Sequence, residues 1–260
     1  MLKNLLMQNK LAFIVGGSGA IGSEIVKLFK ECHYKIVVLD NKNIFKNKKN
    51  INYEKIELTK IFKIENNIKK TIKNYGIPDV LINASYPITI NWSKLSYKEV
   101  KLKYFIDNLS LQLGSYYWIS KLVADFMSKK KRGSIIMISS IYSLVAQDPE
   151  MYRQTRLKDN QAYPIIKAGI NAAAKQMASF YGSYNLRVNT ISPGGIEGAI
   201  KGSKLKQDLI FKKKYLTKLC IKRFCKPQDV AQACLYLADD EKSSYLTGQN
   251  IVLDGGYTSR

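Results

Sequence analysis

The chain has 260 residues, 46% of them hydrophobic, so it is long enough to bury the core of one large α/β domain. Its apolar runs are shorter than the ~18 residues of a membrane span. The first run, LAFIV, is also shorter than the apolar region of a secretory signal, which has about 7–15 residues. We therefore expect a cytoplasmic protein with no membrane partner. The net charge of +22 comes from lysines scattered along the chain, which leaves compositional bias or a basic surface patch as its explanation, and without a nucleic-acid-binding motif we expect no nucleic-acid partner.

Cysteine and histidine usage argues against a disulfide scaffold and against a metal site. The four cysteines include no CxxC pair, and His33 is the single histidine. Structural zinc sites need clusters of such ligands at short spacing. We therefore expect no metal.

Short apolar runs alternate with longer amphipathic runs along the chain. The apolar runs predict strands at 11–15, 35–40, 51–58, 79–84, 133–140, 186–192 and 249–256. The amphipathic runs predict helices at 20–31, 61–76, in a long region ending near Lys130, at 161–182 and at 227–239. Alternation of this kind predicts an α/β fold, a doubly wound parallel sheet of about seven strands with helices on both faces. No linker interrupts it, so residues 1–260 are expected to form a single domain.

Ligands bind such sheets outside the carboxyl ends of the strands. A glycine-rich turn, VGGSGAIG (15–22), follows the first strand and opens the first helix, as expected of a pyrophosphate-binding turn. Asp40 ends the second strand, where a carboxylate accepts hydrogen bonds from ribose hydroxyls and repels a 2′-phosphate, which favours NAD; with Lys42 nearby, NADP stays possible. A role for Asp40 in capping a turn also stays open.

Polar motifs follow the later strands. ISS (138–140) ends the fifth predicted strand, YPIIK (163–167) opens a helix, and SPGGI (192–196) follows the sixth strand. With VGGSGAIG, LINASYP (81–87) and YLTGQNIVLDGG (245–256), these motifs resemble, in order and spacing, the short-chain dehydrogenase/reductase family. The resemblance runs through essentially the whole chain. It implies a Rossmann-type dinucleotide-binding domain and an NAD(P)-dependent oxidoreductase that transfers hydride between nicotinamide and a hydroxyl or carbonyl group.

The resemblance also implies roles for individual residues. Tyr163 is expected to act as general acid and base on the substrate oxygen, and Ser140 to hydrogen-bond the same oxygen. Lys167, one helical turn from Tyr163, is expected to lower the pKa of the phenol. The family's fourth catalytic residue, an Asn, is missing; Gln112 is our first choice for its place and Asn108 our second.

The same resemblance predicts the residues that hold the cofactor. They are Gly16, Ser18, Gly19, Ala20, Ile21, Gly22, Asp40, Glu57, Leu58, Asn83, Ala84, Ser85, Tyr163, Lys167, Pro193, Gly194 and Ile196. Ala20 replaces a Gly of the family's turn, and Glu57 replaces an Asp that contacts the adenine amine.

Substrate recognition is expected in two loops, about 144–160 and 196–224, which would form a lid. Ser140 and Tyr163 are 23 positions apart, farther than in simple family members, and the interval is rich in polar residues. Tyr86, Arg153 and Arg156 are the candidate substrate residues. This long polar interval and the LINASYP stretch are similar to those of dehydrogenases of flagellin modification and nonulosonic-acid (legionaminic acid) biosynthesis. The similarity implies that the substrate is a sugar phosphate or nucleotide sugar used in surface-glycan synthesis.

Other interpretations stay open at this point. One is a 3-oxoacyl-carrier-protein reductase, whose acidic carrier the basic surface would attract. Another is a catalytically weak dinucleotide-binding regulator. The 144–160 loop could also be a solvated surface loop without a role.

The family resemblance also implies self-association, as a homotetramer or homodimer. Helices corresponding to 107–130 and 161–183 would form the contact. Apolar residues on both exceed what one sheet face requires, and they include Trp118, Ile119, Ala172, Met177 and Phe180.

Overall fold

One parallel sheet organises the molecule. The computed structural model describes residues 10–45, 49–89, 92, 96–198 and 208–259. In this part of the chain seven strands form a sheet of order β3-β2-β1-β4-β5-β6-β7, and every neighbouring pair is parallel. The strands are β1 (Leu11–Val15), β2 (Lys35–Asp40), β3 (Ile51–Lys55), β4 (Val80–Asn83), β5 (Gly133–Ile138), β6 (Leu186–Pro193) and β7 (Asn250–Leu253).

Helices cover both faces of the sheet. They are α1 (Ala20–Glu31), α2 (Ile64–Tyr75), α3 (Leu102–Asn108), α4 (Ser115–Lys130), α5 (Pro149–Tyr152), α6 (Ala162–Tyr181), α7 (Leu209–Lys218) and α8 (Pro227–Ala238). Core side chains of α2, α4 and α6 pack on one face, and those of α1 and α8 on the other. The expected doubly wound α/β architecture is therefore confirmed.

Strand periodicity explains the two cores. In β1, Phe13 and Val15 belong to the core under α2, α4 and α6, whereas Ala12 and Ile14 belong to the core under α1 and α8. Successive side chains of a strand point to opposite faces. Because both faces are covered, all four residues are apolar and fully buried.

Several boundaries differ from the sequence-based expectation. The third strand ends at Lys55 rather than 58, and the fifth ends at Ile138, so that Ser139 and Ser140 lie in the turn beyond it. The long helical region is interrupted by a π-helical segment, Leu109–Gly114, which hydrophobic periodicity did not predict. Helices α5 and α7 were not predicted, because each lies in a polar stretch without a long apolar stripe.

Two residues proposed for a subunit contact belong to the core instead. Ile119 is fully buried and Met177 is 3% exposed, and both pack in the core between the helices and the sheet. Trp118 and Phe180 are 37% and 62% exposed. Ala172 is exposed as well, so these three residues remain available for a partner.

No helix in the described ranges is both long enough and apolar enough to span a membrane.

The first turn depends on close backbone approach at two glycines. Gly16 has φ of +75°, and a Cβ there would lie 2.5 Å from the Cα of Ser85. A Cβ on Gly22 would lie 2.1 Å from the carbonyl oxygen of Gly16. No side chain fits at such distances. Helix α1 can therefore pack this closely against the turn only because positions 16 and 22 are glycines.

Gly22→Ala should therefore lower the free energy of unfolding by about 1–3 kcal/mol, the usual cost of forcing extra volume into a packed site. Denaturant unfolding measures it. Gly182→Ala is the matched control, because a Cβ there meets nothing within 4 Å and its φ of −58° suits alanine; it should leave stability unchanged or raise it by up to about 1 kcal/mol. Equal stability of the two variants would contradict the close approach.

Candidate active site

Helix α6 presents Tyr163 and Lys167 at the carboxyl edge of the sheet. Asn160 fixes the start of this helix: its side-chain oxygen accepts a hydrogen bond from the N–H of Ala162 (3.0 Å), and its carbonyl accepts one from the N–H of Tyr163 (3.1 Å). Pro164 lies in the first turn, where its missing N–H has no intrahelical partner to lose. Tyr163 is half-buried and Lys167 is 4% exposed.

Ser140 is held beside this helix by the turn that follows β5. Its hydroxyl accepts a hydrogen bond from the N–H of Tyr142 (3.2 Å), and its carbonyl accepts one from Ser143 Oγ (2.6 Å). Asn171 of α6 donates to that same Ser143 hydroxyl (2.8 Å). The Ser140 hydroxyl is also close enough to the Tyr163 phenol to favour a lower pKa of that phenol. The predicted Ser140, Tyr163 and Lys167 therefore lie together.

Lys167 is an ammonium buried with a single described hydrogen bond. Its Nζ donates to the carbonyl of Ile138 at 3.1 Å, which also accepts a hydrogen bond from the Tyr116 hydroxyl (3.2 Å). Removal from water disfavours the charged form. Burial therefore lowers the pKa of Lys167 to about 7.

The pKa of Tyr163 is not lowered, as we had expected, but raised. Burial raises it, and the hydrogen bond with Ser140 opposes the increase. The physical reason is that the loss of water around the phenol outweighs the other influences on it, and the nearby lysine does not reverse the shift.

Gln112 and Asn108 both point into the protein from the π-helical segment and the helix before it. Gln112 is 2% exposed and Asn108 5%. The Nε2 atom of Gln112 and the Oδ1 atom of Asn108 are buried without a hydrogen-bond partner, while Asn108 Nδ2 donates to the carbonyl of Tyr104 (2.7 Å). Each amide thus has one atom free to bind a water, and the choice between them stays a prediction.

The glycine turn leaves the first N–H groups of α1 free of any side-chain cap. Gly19 occupies the N-cap position without a capping side chain, and no acidic residue stands in the first turn. Free N–H groups at a helix N-terminus attract phosphate. Ala20 is exposed, so its methyl group does not crowd the turn.

Asp40 takes part in the turn itself. Its two carboxylate oxygens accept hydrogen bonds from the N–H of Ser18 (3.0 Å) and of Lys42 (3.2 Å). The turn-capping role left open by the sequence is therefore present. A carboxylate has about four lone-pair sites, so acceptors remain for ribose hydroxyls.

A cleft of about 470 Å³ opens between the ends of β1, β2 and β4. Its lining comprises Gly16, Leu39, Asp40, Asn41, Lys55, Ile56, Glu57, Leu58, Thr59, Ser85, Tyr86, Pro87 and Ile88. Within it, the carboxylate of Glu57 pairs with Lys60 (2.5 Å) and Lys55 (3.1 Å), and hydrogen bonds from the two lysines hold its pKa below the ordinary value. Glu57 is therefore engaged by two cations.

Polar atoms left unpaired near this cleft fit a dinucleotide. Asn83 is fully buried, and its Oδ1 accepts from the N–H and hydroxyl of Ser85, but its Nδ2 has no partner. A buried donor without an acceptor is costly. Together with the uncapped start of α1 and the close approach at Gly16, this donor suits a ligand rich in oxygen acceptors.

The loop after β6 lies at the same edge. Gly194 N–H donates to the carbonyl of Leu253 (2.9 Å), Gly195 N–H donates to the hydroxyl of Tyr215 (2.6 Å), and Ile196 forms a bridge with Cys225. Pro193 ends the strand. The predicted Pro193, Gly194 and Ile196 are thus fixed near the carboxyl ends of β6 and β7.

Three aromatic rings surround Tyr163, and sequence reasoning had singled out one of them. Tyr86, Trp92 and Tyr142 lie edge-on to its ring, with centroids 6.1, 6.0 and 6.2 Å away. Trp92 Nε1 donates to the Tyr86 hydroxyl (2.6 Å), and the Trp92 carbonyl accepts from Asn160 Nδ2 (2.8 Å). The Tyr in ISSIYS was the available signal for Tyr142.

The 144–160 loop is joined to the start of α6 by polar contacts. Gln147 Oε1 accepts from the N–H of Asn160 (3.0 Å), and Gln147 Nε2 donates to the hydroxyl of Tyr152 (2.8 Å). That hydroxyl donates to Tyr142 (3.1 Å). This chain of hydrogen bonds brings amide and phenol groups to one side of Tyr163.

Contacts also join the 144–160 loop to α7. Lys214 Nζ donates to the carbonyls of Glu150 and Arg153, both at 2.7 Å, and the N–H of Arg156 donates to Asp208 (3.0 Å). The arginine side chains are exposed, and the guanidinium of Arg153 pairs with Glu150 (3.4 Å). In the described part of the chain no hydrogen bond or ion pair joins either guanidinium to Tyr163, so their substrate roles stay predictions.

Part of the second predicted lid loop, 199–207, lies outside the described residues, and with it Lys201, Lys204 and Lys206.

Known proteins resemble this chain along most of its length. The family model described as enoyl-(acyl carrier protein) reductase matches residues 16–258. The post-translational flagellin modification protein A of Campylobacter coli is 29% identical over 264 residues, which cover 97% of this chain and 99% of the relative. The 3-oxoacyl-(acyl-carrier-protein) reductase FabG of Chlamydia muridarum is 31% identical over 268 residues, covering 97% of this chain and 99% of that protein.

A solved structure also resembles this chain along most of its length. The short-chain dehydrogenase of Leptospira borgpetersenii, determined with bound NAD+, superposes with a TM-score of 0.85 at 27% identity, over 96% of this chain and 93% of its own. The family model spans nearly the whole sheet and all of the motifs from the glycine turn onward. The chain therefore belongs to the short-chain dehydrogenase/reductase family and is an oxidoreductase of that family.

Proposed function

We propose that this enzyme uses NAD to oxidise a hydroxyl, or reduce a carbonyl, on a polar, sugar-derived substrate such as a sugar phosphate or nucleotide sugar. The observation that carries the proposal is the grouping of Ser140, Tyr163 and Lys167 at the sheet edge that also bears the glycine turn. The uncapped start of α1, Asp40 and the unpaired Nδ2 of Asn83 fit a dinucleotide. When bound, that cofactor supplies the hydride chemistry.

The residues of the chain then handle the proton. In the oxidation direction Tyr163, as phenolate, takes the proton of the substrate hydroxyl, and in reduction it returns that proton to the carbonyl oxygen. Ser140 donates a hydrogen bond to the same oxygen and stabilises the charge that develops there. Lys167 in its ammonium form favours the phenolate.

Polar groups beside Tyr163 support a hydroxyl-rich substrate. Gln147, Tyr152 and Tyr142 form a hydrogen-bonded row on one side of the phenol, and amide and hydroxyl groups recognise sugar hydroxyls. The likeness to flagellin modification protein A over almost the full length of both chains supports use in surface-glycan synthesis. We propose one domain in which the 144–160 and 196–224 loops cover the substrate, with Tyr86 as a contact.

The test is a screen of sugar phosphates and nucleotide sugars, followed by NADH absorbance. Tyr163→Phe keeps the ring and removes the titratable oxygen, so turnover should fall at least about a hundredfold, with NAD affinity nearly unchanged. Tight NAD binding by both proteins would show that the variant is folded. Turnover close to wild type in the variant would contradict the role of Tyr163.

A second candidate, a 3-oxoacyl-carrier-protein reductase, is favoured by the likeness to FabG. Turnover of an acetoacetyl thioester together with inactivity on every sugar would establish this alternative over the proposed substrate class.

The cofactor preference follows from the charge of Asp40. We expect tighter binding of NAD(H) than of NADP(H), and in Asp40→Asn a shift of the affinity ratio towards NADP(H) by roughly tenfold, because one repulsion of a 2′-phosphate is removed while a hydrogen-bond acceptor stays. Glu57→Gln is the control, since Lys55 and Lys60 already pair with that carboxylate. Titration by intrinsic fluorescence measures both affinities. A wild-type preference for NADP(H) would overturn the assignment.

We further propose a homotetramer or homodimer that covers the exposed apolar residues of α4 and α6. These residues include Tyr117, Trp118 and Phe180. Light scattering at micromolar concentration should give a multiple of the 29.6 kDa protomer, and Phe180→Glu should reduce it. Leu209→Glu, which alters an 80% exposed residue of α7, should leave the mass unchanged. A monomeric wild type would refute the proposal.

A further inference from the structure

Aromatic rings surround the buried ammonium of Lys167. Its Nζ lies 5.8 Å from the ring centroid of Tyr86, 5.5 Å from that of Tyr116 and 5.6 Å from that of Tyr163. A cation within about 6 Å of an aromatic centroid is attracted by the negative face of the ring, and the attraction grows when the pair is removed from water. Besides these rings, Lys167 Nζ has one described hydrogen bond, to the Ile138 carbonyl.

Two of the three rings have evident other roles. Tyr163 lies one turn before Lys167 on the same helix and belongs to the site chemistry. Tyr116 is buried in α4 and its hydroxyl hydrogen-bonds the carbonyls of Asn83 (2.8 Å) and Ile138 (3.2 Å), which ties the ends of β4 and β5 together.

Tyr86 is the ring that remains to be explained. It comes from the loop after β4, and its hydroxyl accepts a hydrogen bond from Trp92 Nε1 (2.6 Å). Its ring is perpendicular to that of Trp92 (81°) and to that of Tyr163 (79°). The contacts fix the ring beside both the phenol of Tyr163 and the ammonium of Lys167.

Few charged or titratable groups lie near the Lys167 ammonium besides the three rings. The titratable groups that face it are Tyr163 from its own helix, Tyr86 from the loop after β4 and Tyr116 from α4. From the end of β5 it meets the Ile138 carbonyl. In the described ranges no carboxylate, histidine or second cation contributes to the shift in its pKa, which burial causes.

We propose that Tyr86 is a positioning residue that keeps Lys167 in its ammonium form by presenting the ring to Nζ. The proposal rests on the proposed function, because the charge of Lys167 matters through its effect on Tyr163. The charged form exists below the folded-state pKa and is lost as the pH rises through it. Since that pKa is about 7, a small change in the ring's attraction alters the charged fraction at neutral pH.

The test compares two side chains of nearly equal shape at position 86. Tyr86→Phe keeps the negative ring face and loses only the hydroxyl, whereas pentafluorophenylalanine introduced at position 86 reverses the charge distribution of the ring without opening a cavity. The pKa of Lys167 is read by NMR of 13Cε-labelled lysine in the purified protein, with the signal assigned by its loss in Lys167→Arg. The pKa in the fluorinated protein should be lower than in Tyr86→Phe by roughly 0.5 to 1.5 units.

Tyr142→Leu is the matched control. Tyr142 contacts the ring of Tyr163 at 6.2 Å, much as Tyr86 does, but its ring is not among those over Lys167, so the pKa of Lys167 should not move. In an active enzyme, the alkaline limb of the pH profile of kcat should shift in the fluorinated protein by the same amount as the NMR titration.

The outcomes separate this proposal from the proposed function. Equal Lys167 pKa values in Tyr86→Phe and the fluorinated protein would overturn the role of Tyr86, whatever the activity. An equal shift in Tyr142→Leu would also overturn it, because the effect would then pass through Tyr163. Absence of turnover on every substrate would contradict the proposed function, while the NMR titration would still test the ring.

Discussion

The parallel sheet is the constraint on which the rest of the structure depends. All described strands run in the same direction, so every carboxyl end lies at one edge and both faces must be covered by helices. That arrangement brings together residues far apart in sequence, such as Gly16, Asn83, Ser140 and Tyr163. The site is therefore a consequence of topology before it is a consequence of any local motif.

Burial of Lys167 is the second constraint, and it is costly. A lone ammonium removed from water is stable only where nearby groups favour its charge. The protein supplies one carbonyl and three ring faces rather than a carboxylate. A carboxylate would hold the ammonium permanently charged, whereas this environment leaves its pKa near 7, where protonation can respond to what binds beside it.

The sequence alone predicted the strands and the polar residues of the candidate site, because short local patterns mark both. Apolar runs located the strands, the turn after the fifth strand located Ser140, and the YPIIK motif at the start of a helix located Tyr163 and Lys167 through the family resemblance. The aromatic surround was harder, because Trp92 and Tyr142 lie on loops without periodicity and meet Tyr163 only through tertiary packing. The direction of the Tyr163 pKa shift was wrong for the same reason: spacing reveals that a lysine is near, but not how deeply both groups are buried.

Asn160 shows how the polar loop and the site chemistry are joined. Its backbone and side-chain oxygens hold the first turn of α6, its Nδ2 holds the Trp92 carbonyl, and its N–H is held by Gln147. Tyr163 therefore shares its support with Trp92 and with Gln147 of the 144–160 loop. One set of hydrogen bonds therefore joins Gln147 of the 144–160 loop to Asn160, and Asn160 to the helical turn that carries Tyr163.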